Sequence, residues 1–285
     1  MRVGWALVSV LCAVACDRAS GGHDPPSASI VRPASPATVD IPGVDLSGLT
    51  PGEKSDYAAL VKKLAAPCPA LKNSIAECAV EAGSCKKKCV SAAQYIARSV
   101  HSDKTRDQVE RGLRKRFDPT TAISVPIDGS PAKGPEGAPV TIVVFMDFTN
   151  GACQKLIPTL EKGQRGYEKY VRLVFKFRPK DPARSEESAR RALAAGTQGK
   201  FWEMEAKLLD NPYEVELVTK YVKDLALDEK RFVTDLTSDA ISERILKDKR
   251  LAESIGVTAI PTTYINGHEY DPLEDLSDWI EREIP

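Results

Sequence analysis

Seven of the 285 residues are cysteines, Cys12, Cys16, Cys68, Cys78, Cys85, Cys89 and Cys153, and thiol or disulfide chemistry is the first chemistry the chain can offer. Cys12 lies inside an apolar run, Val3 to Ala15, that follows the basic start Met1-Arg2. Thirteen apolar residues suit the core of a signal peptide and are too few to span a bilayer. Ala13-Val14-Ala15 then places small residues directly before Cys16, a pattern similar to the bacterial lipobox, so Cys16 is expected as the lipidated first residue of an exported protein. Residues 1–15 would be removed as a signal peptide. Acyl chains on Cys16 would hold the rest at a membrane.

Without Cys12 and Cys16 an odd number of cysteines remains. Cys68, Cys78, Cys85 and Cys89 fall within 22 residues of one another, and an exported chain meets an oxidising compartment, so they are expected as two disulfides. Cys85 and Cys89 stand four apart, on one helix face, so each should pair across to Cys68 or Cys78; which one takes which stays open. A four-thiolate zinc site is the rival reading, although the C-x9-C-x6-C-x3-C spacing matches none of the common zinc patterns. Cys153 is left unpaired. The three histidines, His23, His101 and His268, stand in no visible pairing with a Ser or Cys. No Gly-rich phosphate loop, H-E-x-x-H or EF-hand pattern occurs, so neither metal nor cofactor is expected.

These cysteines need elements to position them. Residues 16–52 are rich in Ser, Pro, Gly and Ala and read as a flexible, lipid-anchored linker. Apolar residues at three and four spacing over Tyr57 to Ala66, Leu71 to Ala82, Cys85 to Ser99 and Asp103 to Phe117 predict three or four helices, a small disulfide-stapled α-helical module over 53–120. Lys86-Lys87-Lys88 reads as a solvated face. Further on, Val140 to Phe145 and Val171 to Phe177 are β-branched and aromatic runs suited to buried strands, joined by a turn-prone Thr149-Asn150-Gly151 and a helical stretch, a β-α-β unit. Residues 183–250 are helical in pattern, with Phe201 and Trp202 as a core-facing pair. Ile260 to His268 reads as strand, tight turn and strand, and Leu273 to Ile284 as a closing helix.

That order, with APVTIVVFMDFTNGACQKLIPTL, VRLVFKF, QGKFWEM and IGVTAIPTTYING in sequence, resembles the DsbA-like branch of the thioredoxin superfamily over Pro135 to Ile284. The resemblance implies an α/β thioredoxin-like fold over 125–285 with a helical insertion, and Ile260-Pro261 as the cis-proline loop facing a Cys-x-x-Cys motif. In the register set by Phe145-Met146-Asp147-Phe148 and Leu156-Ile157-Pro158, that motif is Asn150-Gly151-Ala152-Cys153. The nucleophilic cysteine is replaced by Asn150, which caps helices well but cannot attack a disulfide. Cys153, the doubtful catalytic residue, falls a turn into the helix, where burial disfavours a thiolate.

Two functions compete. One is a cell-envelope thiol-disulfide oxidoreductase whose activity is altered or lost. The other is a non-catalytic module that holds an exported polypeptide client or an envelope partner against Asn150, Gly151, Ala152, Ile260 and Pro261. Either faces the periplasm, touching the membrane through the lipid anchor only. Forty basic against forty acidic residues leave no net charge to attract nucleic acid.

Overall fold

Three of the four N-terminal helices begin where the sequence supplies a reciprocal cap. In the computed structural model, which describes residues 38–284 except 82, 182 and 212–214, the Thr50 hydroxyl accepts from the Glu53 N–H and the Glu53 carboxylate accepts from the Thr50 N–H. This pair opens α1 (Pro51–Lys63). Ser74 with Glu77 does the same for α2 (Ile75–Val80), and Thr105 with Gln108 for α4 (Arg106–Phe117). α3 (Lys86–His101) lacks a side-chain cap and starts directly after Cys85.

Cys89, Ala92, Ala93, Ile96 and Val100 form the buried stripe of α3, at the spacing that keeps one helix face inward. They pack on Tyr57 and Val61 of α1, Ile75 and Ala79 of α2, and Val109 of α4. Cys68 is bonded to Cys85 and Cys78 to Cys89, with Cα separations of 6.4 and 5.8 Å. The folded part begins earlier than the linker expectation of 16–52. Ile41 and Leu49 are buried in the helical core, and Val39, Val44 and Leu46 pack against it. Burying one such side chain is worth about 1.5–3 kcal/mol, enough to hold a segment whose Pro, Gly and Ser content suggests a tether. Cys16 and residues 1–15 lie outside the described residues.

The second part is a five-stranded sheet in the order β1 (Ala132–Lys133), β3 (Val171–Phe177), β2 (Val140–Met146), β4 (Thr262–Ile265), β5 (His268–Tyr270). β2 and β3 are parallel, from Val140 opposite Val171 to Met146 opposite Phe177, and α5 (Gly151–Gly166) is the crossover. β4 runs antiparallel to β2, and β5 to β4. The central strands are nearly continuous in apolar residues because helices cover both faces. Asn266 and Gly267, both at positive φ, make the β4–β5 turn. Ile123 donates to the Gly267 carbonyl at 3.0 Å, and a Cβ on Gly267 would stand 2.4 Å from the Ile123 oxygen, so the position requires glycine.

Between β3 and β4 come α6 (Ser185–Gly196), α7 (Phe201–Asp210), α8 (Val215–Asp224), α9 (Glu229–Leu236) and α10 (Asp239–Ser254). Asp248 of α10 is fully buried. It accepts from Lys176 Nζ and the Phe177 N–H of β3, both at 3.1 Å, and from Arg244 at 3.2 Å, which ties the insertion to the sheet. α11 (Leu276–Glu283) closes the fold, capped by Asp275.

The two parts share one compact unit. Glu274 accepts from Arg116 of α4 at 2.6 Å and from the Trp279 indole of α11 at 2.7 Å, and the guanidinium groups of Arg116 and Arg282 lie 4.5 and 4.8 Å from the Trp279 ring.

Candidate functional site

β2 ends in the sheet interior at Met146, and the chain turns through Asp147, Phe148 and Thr149 before α5 begins. Asp147 fixes that turn. One of its oxygens accepts from the Thr149 N–H at 2.9 Å and the Thr149 hydroxyl at 2.7 Å; the other accepts from the Lys180 N–H at 3.2 Å. Asn150 follows as the cap of α5: its side-chain oxygen accepts from Ala152 N–H at 2.9 Å and Cys153 N–H at 3.2 Å. Where a nucleophilic thiolate would draw on the free N–H groups of a helix start, a neutral carboxamide uses two of them.

Gly151 and Ala152 are exposed, and Cys153 turns inward to full burial beside Phe148, Leu156 and Ile157. Burial pushes the Cys153 thiol up to about 12; a hydrogen bond with the Asp147 backbone opposes the rise and the Asp147 charge adds to it. Cys153 is the free cysteine among the described residues. Because Phe145 pairs with Thr262, β2 leaves the sheet beside the point where β4 enters it from Pro261. The Ile260–Pro261 peptide is cis, Ile260 is buried and Pro261 half-buried. The register thus brings Asn150, Gly151 and Ala152 to the same end of the sheet as Ile260 and Pro261, with Cys153 beneath them.

The sulfurs of Cys78, Cys85 and Cys89 lie within 4.8 Å of one another. A zinc site would need them as thiolates; the structure has them in two disulfides that abut, with Cys85 Sγ 3.8 Å from Cys89 Sγ. Of the histidines within the described residues, His101 pairs with Glu53 at 3.3 Å and His268 Nδ1 lies 3.1 Å from the Lys115 carbonyl, so neither meets a nucleophile.

Sequence reasoning missed Glu205, buried in α7 and pushed up to about 8 by burial and by the Glu161 charge, which Lys133 partly offsets. The signal was there: Phe201, Met204, Glu205 and Leu208 are the inward face of α7 at helical spacing. Arg116 had no such signal, since Glu274 and Trp279 reach it from the far end of the chain; Arg282 has Trp279 and Glu283 beside it on α11 and gains Phe117 from the helical part.

Residues 127–282 match the family model described as Thioredoxin. The chain belongs to the thioredoxin family. The chain adds to that fold a helical insertion, α6 to α10, between β3 and β4. The chain is 28% identical over 167 residues to a probable disulfide bond formation protein D of Bacillus anthracis, covering 53% of this chain and 76% of that one. It is 29% identical over 162 residues to a Na(+)/H(+) antiporter NhaA of Herminiimonas arsenicoxydans, a match of 55% of this chain that spans only 26% of the antiporter's length. Among solved structures, the thiol-disulfide exchange protein alpha-DsbA2 of Wolbachia pipientis aligns at 19% identity and a TM-score of 0.49, over 71% of this chain and 98% of its own. No helix of the described residues is long and apolar enough to cross a membrane.

Proposed function

We propose that the thioredoxin-like part of this chain is a DsbA-like module of the bacterial cell envelope that holds an extended polypeptide or an envelope partner across Asn150, Gly151, Ala152, Ile260 and Pro261, with dithiol turnover at the motif lost. One observation carries the reading: the Asn150 carboxamide fills the cap position of α5, where the family has its attacking sulfur, and the remaining Cys153 is fully buried. A thiol in that setting is neither ionised nor reachable, while the exposed Gly151 and Ala152 leave backbone and a small side chain for a polypeptide to lie against. The envelope location and the lipid anchor on Cys16 are supported by the apolar N-terminal run and by two disulfides, which form and persist outside the cytosol.

The test is titration of an unfolded polypeptide with blocked thiols, read by fluorescence anisotropy. Binding by the full chain is expected to be unchanged within twofold in Cys153→Ser and to weaken about tenfold, or about 1.4 kcal/mol, in Ala152→Arg. Absence of binding, or equal binding by Ala152→Arg, overturns the reading.

A further inference from the structure

The four clustered cysteines are a second sulfur centre that the thioredoxin-like part does not explain. The two disulfides differ in access: Cys68 and Cys85 are half-buried, whereas Cys78 and Cys89 are buried at 2% and 0% exposure. Cys85 Sγ lies 3.8 Å from Cys89 Sγ, van der Waals contact between sulfurs of different disulfides. A pair of structural staples needs neither sulfur contact nor this difference in exposure, and the helices already share an apolar core of Tyr57, Val61, Ile75, Ala93, Ile96 and Val109.

The surroundings of the outer disulfide are polarised as well. Cys68 stands between Pro67 and Pro69 in the loop joining α1 to α2, next to the exposed Pro69 and Ala70. Cys85 is the cap residue of α3, whose first turn holds no acidic residue and begins Lys86-Lys87-Lys88, all exposed. The free N–H groups at the start of α3, with no acidic residue in its first turn, favour an anionic sulfur on Cys85, which makes it the better leaving group when the disulfide is attacked.

We propose that these disulfides form a relay, in which Cys68–Cys85 oxidises an external polypeptide dithiol and Cys78–Cys89 reloads it. A client thiolate attacks Cys68 Sγ and releases the Cys85 thiolate; the client's second thiol attacks its own mixed sulfur and releases Cys68. The client is oxidised to a disulfide, and its two protons end on Cys68 and Cys85. The Cys85 thiolate then attacks Cys89 Sγ, forming Cys85–Cys89 and releasing Cys78, and the Cys68 thiolate attacks Cys85 Sγ, restoring Cys68–Cys85 and releasing Cys89. The internal steps conserve one disulfide and move the reduced pair inward. An external disulfide, reduced in exchange, reoxidises the centre through the same outer pair.

The proposal does not rest on the peptide-binding reading, whose test uses blocked thiols. The probe is a synthetic peptide with two cysteine thiols, mixed below stoichiometry with the native, fully oxidised full-length chain. After acid quenching and unfolding, the newly freed thiols are labelled and mapped by mass spectrometry, with Cys153 labelled in every sample as the reference. Label on Cys78 and Cys89 is expected. Label confined to Cys68 and Cys85 overturns the relay, and the absence of label on all four while the chain stays folded reduces the cluster to a staple. With excess peptide, the chain is expected to oxidise two equivalents and Cys78→Ala/Cys89→Ala one; equal yields overturn the proposal. The mapping uses the unaltered chain, so it decides the matter even where the double variant fails to fold.

Discussion

Raising the pH on the native chain with an alkylating reagent present puts the environment of Cys153 to a direct test. With both disulfides intact, Cys153 is the free thiol among the described residues, so mass spectrometry resolves its rate cleanly. A thiol at its ordinary value of 9.0 is ionised in about one molecule in a hundred at pH 7; pushed to about 12, it is ionised in about one in a hundred thousand. The thiolate supply therefore falls about a thousandfold from the electrostatics of burial alone. Zero exposure of the side chain adds the cost of a local opening before any reagent arrives. At pH 7 native alkylation is expected to run at least about a thousandfold slower than in the denatured chain, and it is expected to rise about tenfold per pH unit without a plateau up to pH 10. A plateau whose midpoint lies at or below the ordinary thiol value of 9.0 would refute the argument. It would mean that α5 presents Cys153 to solvent as an activated sulfur, and that the motif retains redox chemistry.

Other substitutions test the same structure at different points. Asn150→Cys removes the carboxamide that accepts from Ala152 and Cys153, which costs about 1 kcal/mol of helix capping, and sets a second sulfur one turn from the first. It is expected to form a disulfide with Cys153 and to gain insulin-reducing activity over the parent chain in the same buffer; a folded variant without that gain contradicts the register of the motif. Glu205 is pushed up to about 8 by burial first and the Glu161 charge second, so the folded state binds a proton that the unfolded chain releases near 4.5. Stability from this group is full below that value and declines as pH rises through about 8. Glu205→Gln is expected to flatten this part of the curve, measured by denaturant unfolding from pH 5 to 9, and an unchanged slope would show that the carboxyl is already ionised in the fold.

Much of the fold was legible because its signals are local. The strand Val171–Phe177 matches its apolar run residue for residue, and the hairpin at Asn266-Gly267 is written in the turn residues themselves. The helices over 51–117 follow the apolar spacing, although α2 is confined to Ile75–Val80, since Ser74 caps it and Asn73 ahead of it accepts from Ala66 in the α1–α2 connection. β1 was missed, since Ala132 and Lys133 are too short a strand to carry a period and exist only by pairing with β3. The packing of 39–49 was missed because its five apolar residues are scattered among turn formers and gain their partners from α1 to α4.

The sequence by itself determined the order of strands β2 to β5 and the helical stretches around them, the count of cysteines and the absence of a first sulfur at Asn150, because each is a property of residue type and spacing along the chain. Only the tertiary structure decided which cysteines pair, that Cys85 and Cys89 touch across two disulfides, that Cys153 is sealed off, and that Arg116 and Arg282 share the Trp279 ring. Those outcomes depend on how helices and sheet close on one another. Burial and through-space distance set a thiol's ionisation and a disulfide's reach, and neither is a function of sequence separation.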